Sequence, residues 1–237
     1  MSKKIVCIIP ARSGSKGIKN KNICLLGGYP LIAYSILASK LCGLITETFV
    51  STDSAEIGLI AENFGANWIV RPPELATDTS TDLEWVKHAL TIVDADLIIF
   101  LRCTTPLRNI QIIKDSIVKF LQISEATSLR TAHMLNESPA KMFIEENGWF
   151  KPFIPSNQKE SFNLPRQNFT EVWHPNGIVD IIKPEIVKTD YLYGNNILAL
   201  KTPKIIEVDS YDDLLLLEQK LNQEGHFLWK ELKKLKK

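Results

Sequence analysis

The chain has 237 residues, of which 45% are hydrophobic, so it is long enough to bury one substantial core. Its 28 Lys and Arg residues nearly balance its 27 Asp and Glu residues, which leaves a formal net charge of +1. This balance argues against a global field that would hold nucleic acid or an anionic membrane, so a local cluster must hold any bound anion.

The cysteines and the first residues indicate a cytoplasmic protein. Cys7, Cys24, Cys42 and Cys103 are widely spaced and form no zinc or redox motif, so we predict reduced, mostly buried thiols. The apolar run from Ile5 to Pro10 is too short for a signal peptide or a membrane span. We therefore expect neither a membrane nor a nucleic acid as a partner.

Apolar runs alternate with helical patterns through the first half of the chain. Strands buried on both faces are predicted at 4–10, 48–51 and 97–101. Helices with an apolar stripe are predicted at 31–40, 54–64, 82–93 and 109–121. This alternation favours an α/β fold with a mostly parallel sheet covered on both faces.

The second half is less regular, and we expect one domain over 1–237 that contains an inserted arm. The arm is predicted at about 127–175, where Pro, Asn and charged residues are frequent and 142–144 reads as a short strand piece. A further strand is predicted at 178–182 and a helix at 209–221. The segment 227–237 reads as a terminal amphipathic helix packed on its own protein or on a partner subunit.

The segment from Pro10 to Asn22 is the most informative part of the sequence. It follows a buried strand, and open α/β folds bind ligands at the carboxyl ends of their strands. Its glycines and serines let backbone N–H groups approach a ligand, and its cations suit a triphosphate and a leaving pyrophosphate. These cations are Arg12, Lys16, Lys19 and Lys21.

Two better-known phosphate motifs do not fit this segment. A P-loop reads Gly-x-x-x-x-Gly-Lys-Ser/Thr, but Lys16 is followed by Gly17 and lacks the earlier Gly, and Gly14 and Gly17 lack the first Gly of the dinucleotide fingerprint. A basic, flexible surface loop is the alternative, and the position after a buried strand disfavours it.

Five motifs in order make the chain resemble the acylneuraminate cytidylyltransferase family, whose members activate sialic acid and related acidic sugars with CMP. The first is IPARSGSKGIKNKN at 9–22, which resembles that family's nucleotide-binding signature. The others are VSTD at 50–53, VRPPELATD at 70–78, LRCTTPLR at 101–108, and the pair PRQ at 165–167 with PNG at 175–177. The resemblance spans residues 5 to about 218, and the broader group includes the cytidylyltransferases for Kdo.

The resemblance implies a Rossmann-like nucleotidyltransferase (GT-A-like) fold, with a mixed, mostly parallel sheet, an inserted dimerisation arm and a homodimeric state. It implies transfer of CMP from CTP to the anomeric hydroxyl of an acidic nonulosonate-type keto sugar, with release of pyrophosphate. Arg12 and Lys21 are the implied catalytic cations, together with Asp209 as the ligand, direct or through water, of Mg²⁺. The remaining nucleotide contacts are expected from Ser13, Gly14, Ser15, Lys16, Asn22, Arg71 and Ser80 (or Thr81).

The acceptor side is implied by the later motifs. Arg166 is suited to the sugar carboxylate, because its planar fork can donate two parallel hydrogen bonds. The other expected sugar contacts are Arg102, Thr104, Lys141, Gln167, Asn176 and Asp180.

Three positions depart from the family pattern. Tyr211 stands where the usual Asp-x-Asp has its second carboxylate, and Asp212 or Asp213 either replaces it by a shift or belongs to the first turn of a helix. Arg102 stands in place of a usual Gln and Asp180 in place of a frequent Tyr, so we predict an unusual nonulosonate or amino-keto acid rather than N-acetylneuraminate. A nucleotidyltransferase for another sugar or nucleotide, or a non-catalytic binding relative, remains the alternative.

Overall fold

The computed structural model describes residues 3–235. The strands in chain order are β1 Ile5–Pro10, β2 Leu25–Leu26, β3 Tyr29–Pro30, β4 Glu47–Thr52, β5 Asn67–Val70, β6 Leu97–Phe100, β7 Ser128–Met134, β8 Phe143–Glu146, β9 Trp149–Pro152, β10 Trp173–Ile182 and β11 Ile197–Lys201. The helices are α1 Leu31–Cys42, α2 Ala55–Asn63, α3 Asp82–Leu90, α4 Ile110–Leu121, α5 Pro184–Val187, α6 Tyr211–Glu224 and α7 Phe227–Leu235.

The main sheet has seven strands in the order β11-β7-β10-β6-β1-β4-β5. Its neighbours pair in parallel except where β10 lies antiparallel to both β6 and β7. The predicted mixed, mostly parallel α/β sheet is confirmed. Because β1, β4, β5 and β6 run in the same direction, the loops that follow them meet at one edge of the sheet.

The core lies on both faces of this sheet, as the continuous apolar strands predict. Cys7 and Ile9 of β1 pack into the larger cluster, which α1, α2 and α4 cover. Val6 and Ile8 of the same strand point to the opposite face, where Trp85 of α3 closes a second cluster. Strand side chains alternate between faces, so a strand that is apolar throughout feeds two cores.

The helix boundaries follow from capping side chains. Ser54 accepts a hydrogen bond from the Ile57 backbone N–H, so α2 is capped without the Glu of a full capping box. Thr81 and Glu84 form a complete box that starts α3, and this helix ends at Leu90 rather than at the predicted 93. The terminal helix α7 buries Leu228 and Leu232 on the protein's own core, within the described part of the predicted 227–237 segment.

The predicted arm is shorter than its expected range of about 127–175. Both ends of that range lie in the main sheet, in β7 and β10, and only 135–172 leaves it. The excursion carries the hairpin β8–β9 and a series of single helical turns. The ends were misassigned because β7 and β10 place polar residues inside the sheet, where they pair with one another.

Three of the four cysteines, Cys7, Cys42 and Cys103, are buried, Cys24 is partly buried, and all four are free thiols. Within residues 3–235, no helix combines the length and the apolar character needed to cross a membrane.

Candidate active site

The loop after β1 is tied to two other parts of the chain. The Ser13 backbone N–H and hydroxyl donate to the Asp53 carboxylate at 2.8 and 2.5 Å, which joins the loop to the end of β4. These bonds lower the pKa of Asp53 although partial burial opposes them. The Asn22 side chain donates to the Arg12 carbonyl at 2.8 Å and closes the loop on itself. These contacts argue against the alternative of a basic, flexible surface loop.

Gly17 brings this loop against the segment before α6. A Cβ at this position would lie 2.4 Å from the Asp209 carbonyl oxygen, so only glycine permits the approach. Residues separated by most of the chain length thus meet at one place, and a cavity of about 440 Å³ opens between them.

Three cations of the loop line this cavity, and two of the carboxylates in its lining pair with them. Asp78 lies 2.7 Å from Arg12 and 3.2 Å from Lys16, and these two cations hold the pKa of its carboxyl below the ordinary value. Lys21 lies 3.0 Å from Asp209. The Lys21 side chain is only 17% exposed, whereas that of Asp209 is 75% exposed and open to a ligand. Asp78 had not been singled out in the sequence, although it ends the third family-like motif.

Arg71 forms the wall of the cavity beside β5. Its guanidinium donates to the Ser51 hydroxyl at 3.0 Å and to the Ser51 carbonyl at 2.8 Å, and it lies 5.0 Å from the ring centroid of Trp85. Burial lowers the pKa of Arg71 to about 10, so it remains charged at neutral pH. An arginine held on an aromatic face is a rigid donor for a planar ligand.

The loop after β6 supplies the facing wall. Arg102 and Thr104 line the cavity, and Arg102 forms an ion pair with Asp82 at the start of α3. The Val208 N–H donates to the Thr104 carbonyl at 2.8 Å, which joins this loop to the segment before Asp209. Beneath it, buried Arg108 donates to Ser35 at 2.7 Å and to the Arg102 carbonyl at 2.6 Å.

The second carboxylate beside Asp209 is Glu207, which the sequence analysis missed. Burial and, to a smaller extent, the neighbouring Asp209 raise the pKa of Glu207 to about 7. Tyr211 is exposed at the first position of α6, outside the cavity lining. Asp213 closes a capping box with Ser210, and Asp212 lies in the same first turn. The alternative in which the two aspartates belong to the start of the helix is therefore the one the structure shows.

The carboxylates of this site suit a magnesium ion, although they do not form a complete protein cage around one. Among residues 3–235 no group of three or more His, Cys, Asp or Glu side chains is arranged to hold a metal. Mg²⁺ does not need such a cage, because it commonly binds one or two carboxylates, substrate phosphates and water. Asp209 offers such a carboxylate in the cavity beside the cationic loop, and Glu207, two residues before it and outside the lining, interacts with it electrostatically.

The structure brings together most of the residues expected to bind the nucleotide. Those that line the cavity are Arg12, Ser15, Lys16, Lys21, Asn22, Arg71, Ser80 and Asp209. Ser13 and Gly14 are outside its lining; Ser13 is bonded to Asp53, and a Cβ at Gly14 would meet no other atom within 4 Å. Thr77, Asp82 and Trp85 also line it and had not been predicted.

The residues expected to bind the sugar are divided between four places. Arg102 and Thr104 line the first cavity, whereas Arg166 and Gln167 line a separate cavity of about 400 Å³ at the base of the arm. Lys141 lies in the arm, with its ammonium 5.5 Å from the Phe169 ring centroid.

Asn176 and Asp180, also expected at the sugar, lie inside the protein rather than in either cavity. The Asn176 amide donates to the Thr202 hydroxyl at 2.7 Å, and Asp180 is only 1% exposed. The expectation that they touch a substrate is not supported, because their polar atoms already bond to neighbouring side chains.

The sheet order and the loops at its carboxyl edge define an α/β nucleotidyltransferase fold. The structure of a CMP:2-keto-3-deoxy-manno-octonic acid synthetase in complex with CTP has this fold, with a TM-score of 0.71 at 16% identity over 93% of this chain and 99% of that one. A cytidylyltransferase from Leptospira borgpetersenii superposes with a TM-score of 0.65 at 13% identity over 98% of this chain and 93% of that one.

The chain belongs to the cytidylyltransferase family, whose model matches residues 6–197. It is 32% identical to the N-acylneuraminate cytidylyltransferase of Escherichia coli O18:K1:H7 over 98% of this chain and 56% of that protein. It is 28% identical to a pseudaminic acid cytidylyltransferase of Campylobacter jejuni over 94% of this chain and the full length of that protein. The resemblance to acylneuraminate cytidylyltransferases is confirmed, and the chain spans about half the length of the E. coli relative.

Proposed function

We propose that this protein transfers CMP from CTP to the anomeric hydroxyl of an acidic nonulosonate-type keto sugar and releases pyrophosphate. The observation that carries the proposal is the cavity in which the cationic loop after β1 meets Arg71 on one side and Asp209 on the other. Relatives named for N-acylneuraminate and for pseudaminic acid support an acidic keto sugar as acceptor. CTP as donor and the free thiols suit the cytoplasm, which we propose as its location.

The nucleoside end of CTP is assigned to the wall formed by Arg71 and Trp85. Two of the Arg71 nitrogens are held by Ser51, which leaves the third to donate to a carbonyl or ring nitrogen of the base. Asn22 and Ser80 line the same cavity and are proposed as additional contacts to the cytidine.

The triphosphate is assigned to Arg12, Lys16 and Lys21. Without CTP, Asp78 and Asp209 neutralise these cations. A bound triphosphate carries more negative charge and would take over that role. The acceptor hydroxyl oxygen bonds to the α-phosphorus, the bond to the β-phosphate oxygen breaks, and pyrophosphate and a proton leave. Alignment of the reactants and neutralisation of the growing charge are the main contributions of the chain.

Magnesium is proposed as the ion that Asp209 holds, with Glu207 as its neighbour. When bound, it would supply positive charge at the phosphate oxygens. The chain's part is to keep both carboxylates beside the cationic loop, which the bond from Val208 to Thr104 and the close approach of Gly17 achieve.

We propose that two copies of this chain form a homodimer through the arm. The largest exposed aromatic side chains lie on its hairpin, where Trp149 is 75% and Phe150 is 76% exposed, and such a patch is typical of an interface. Lys141 and Arg166 lie outside the nucleotide cavity of their own chain, so an arm that crosses to a second copy would bring these cations to the acceptor bound there.

The double change Trp149→Glu and Phe150→Glu is expected to convert the dimer to monomers, because it places charges in the apolar interface. Light scattering after size-exclusion chromatography measures the mass. Leu59→Glu is the matched control, since Leu59 is comparably exposed but lies on α2. A wild-type protein with the mass of one chain, or a double variant that stays dimeric, would contradict the proposed interface.

The acceptor is expected to be an unusual nonulosonate. Arg102 adds a guanidinium to the cavity, paired with Asp82, and such a wall offers donors and a carboxylate acceptor to a polar sugar substituent. A pyrophosphate assay with CTP should give its highest kcat/KM on a pseudaminate-like or amino-substituted acceptor. Best turnover with N-acetylneuraminate would contradict this expectation, and turnover only with another nucleotide or a neutral sugar would favour the alternative enzyme. Binding of CTP without any turnover would favour a non-catalytic relative.

A further inference from the structure

Beneath the cavity, a row of alternating charges leads from the surface into the sheet. Arg102 lines the cavity, and its Nη2 atom bonds to Asp82 and lies 3.9 Å from an oxygen of Asp180. Arg130 lies behind Asp180, with its Nε atom 3.1 Å from the other oxygen. Two carboxylates thus alternate with two guanidinium groups, and the row has no net charge.

Asp180 is the buried centre of this row. It lies on β10 directly opposite Arg130 on β7, and the Tyr193 hydroxyl donates to it at 3.0 Å. The Arg130 guanidinium stacks 4.3 Å from the ring centroid of Tyr193. A carboxylate that is only 1% exposed is costly unless it is paired and hydrogen-bonded, and Asp180 meets both conditions.

Arg102 is held from more than one direction. Asp82 bonds to it at the cavity surface, and Asp180 attracts it from below. Gly177 supports its aliphatic part, since a Cβ there would lie 3.2 Å from the Arg102 Cδ atom. An arginine side chain loses considerable rotamer freedom on binding, so a pre-set guanidinium binds an anion or acceptor group at a lower entropic cost.

The strand order shows at which end of the cavity this row of charges lies. The phosphate loop follows β1, and Arg71 follows β5 on one side of it. Arg102 follows β6 on the other side, and Asp180 and Arg130 lie on the next two strands, β10 and β7. An acceptor that attacks the α-phosphate in line must approach from the end opposite the leaving pyrophosphate, and the β6 side is the one that the nucleoside wall leaves open.

We propose that Asp180 is a positioning residue, which holds the Arg102 guanidinium at the wall of the cavity where the acidic sugar binds. This inference rests on the proposed function. Asp180 acts through Arg102 and never touches the substrate. Removing its charge leaves Arg102 beside Arg130 with no carboxylate between them, and Arg102 would turn away toward Asp82 and solvent.

A double-mutant cycle tests this inference by steady-state kinetics with CTP and the best acidic acceptor. Asp180→Asn is expected to raise the acceptor KM by about tenfold, because Arg102 loses the buried charge that attracts it from below, while the KM for CTP changes less than about twofold. Arg102→Gln should have a similar effect. The variant with both changes should be no worse than Arg102→Gln alone, because there is then no guanidinium to position.

Two further variants keep the test decisive. Tyr193→Phe removes only the hydroxyl that donates to Asp180 and should raise the acceptor KM by about two- to threefold, an effect that disappears in the Arg102→Gln background. If the Asp180→Asn variant does not fold, Tyr193→Phe takes its place in the test. Arg130→Gln shows the effect of disturbing the structure around Asp180 without changing a residue of the cavity. Arg130 also bonds to Asp180 but lies outside the cavity lining.

Additive effects of the Asp180 and Arg102 changes on the acceptor KM would overturn the inference, as would equal losses for CTP and acceptor. In either case an active wild-type protein leaves the proposed function standing. A wild-type protein that releases no pyrophosphate from CTP with any acidic acceptor would overturn the proposed function, and this inference with it.

Discussion

Replacement of Lys21 by alanine is expected to lower kcat by about 10²- to 10³-fold, the usual effect of removing one donor that meets developing charge. Lys21 is the least exposed of the ion-paired cations of the loop, and its ammonium lies 3.0 Å from Asp209. The charge that builds on the α-phosphate and the leaving pyrophosphate would lose one of its fixed neutralising groups. The measurement is pyrophosphate release at saturating CTP and acceptor.

The matched control for this change is Lys19→Ala. Lys19 lies in the same loop and is exposed, but it is outside the cavity lining. Its replacement removes the same charge from the loop and should change kcat less than about threefold, since exposed charges are well screened. A Lys21→Ala variant as active as the Lys19→Ala variant would remove Lys21 from the mechanism.

Replacement of Asp209 by asparagine is expected to lower kcat at a fixed magnesium concentration by about 10²-fold or more, since a bound metal contributes several kcal/mol to phosphoryl chemistry. The change keeps the backbone carbonyl that Gly17 approaches, so the loop stays in place. A titration with Mg²⁺ should show a requirement shifted to a higher concentration.

Asp212→Asn is the control for the metal assignment. Asp212 is an exposed residue in the first turn of α6, and its loss should leave the magnesium requirement unchanged. An Asp209→Asn variant with the wild-type magnesium requirement would show that the ion is held elsewhere. A stronger effect of Asp212→Asn would favour the shifted carboxylate that the sequence left open.

Several elements could be predicted because their apolar residues show a regular period. In α4, Ile113, Ile117 and Phe120 form the buried stripe that the sequence indicated. Strand β7 could not be found in this way, because Arg130 and His133 interrupt its apolar pattern. The residue that makes Arg130 tolerable inside the sheet is Asp180, which lies 50 positions further along the chain.

The candidate site could likewise be predicted from the sequence only in part. Arg12, Lys21 and Arg71 meet in one cavity because they follow parallel strands whose carboxyl ends share an edge, which the alternating pattern already implied. Asp180 was assigned to the sugar because it stands where relatives frequently have a Tyr, whereas its contacts are with partners from other strands. Glu207 could not be predicted because the family pattern has its second carboxylate after Asp209, at the position of Tyr211, whereas the fold brings Glu207 into interaction with Asp209.

The fate of the α-phosphate tests the central claim most directly. CTP labelled in its α-phosphate is incubated with the protein, Mg²⁺ and an acidic keto sugar, and the products are separated and quantified. The proposed function predicts that the label moves into a CMP-sugar while one pyrophosphate is released for each molecule formed, and that UTP does not replace CTP. Label that stays in CTP or appears only as free CMP, with every acidic acceptor supplied, would contradict it.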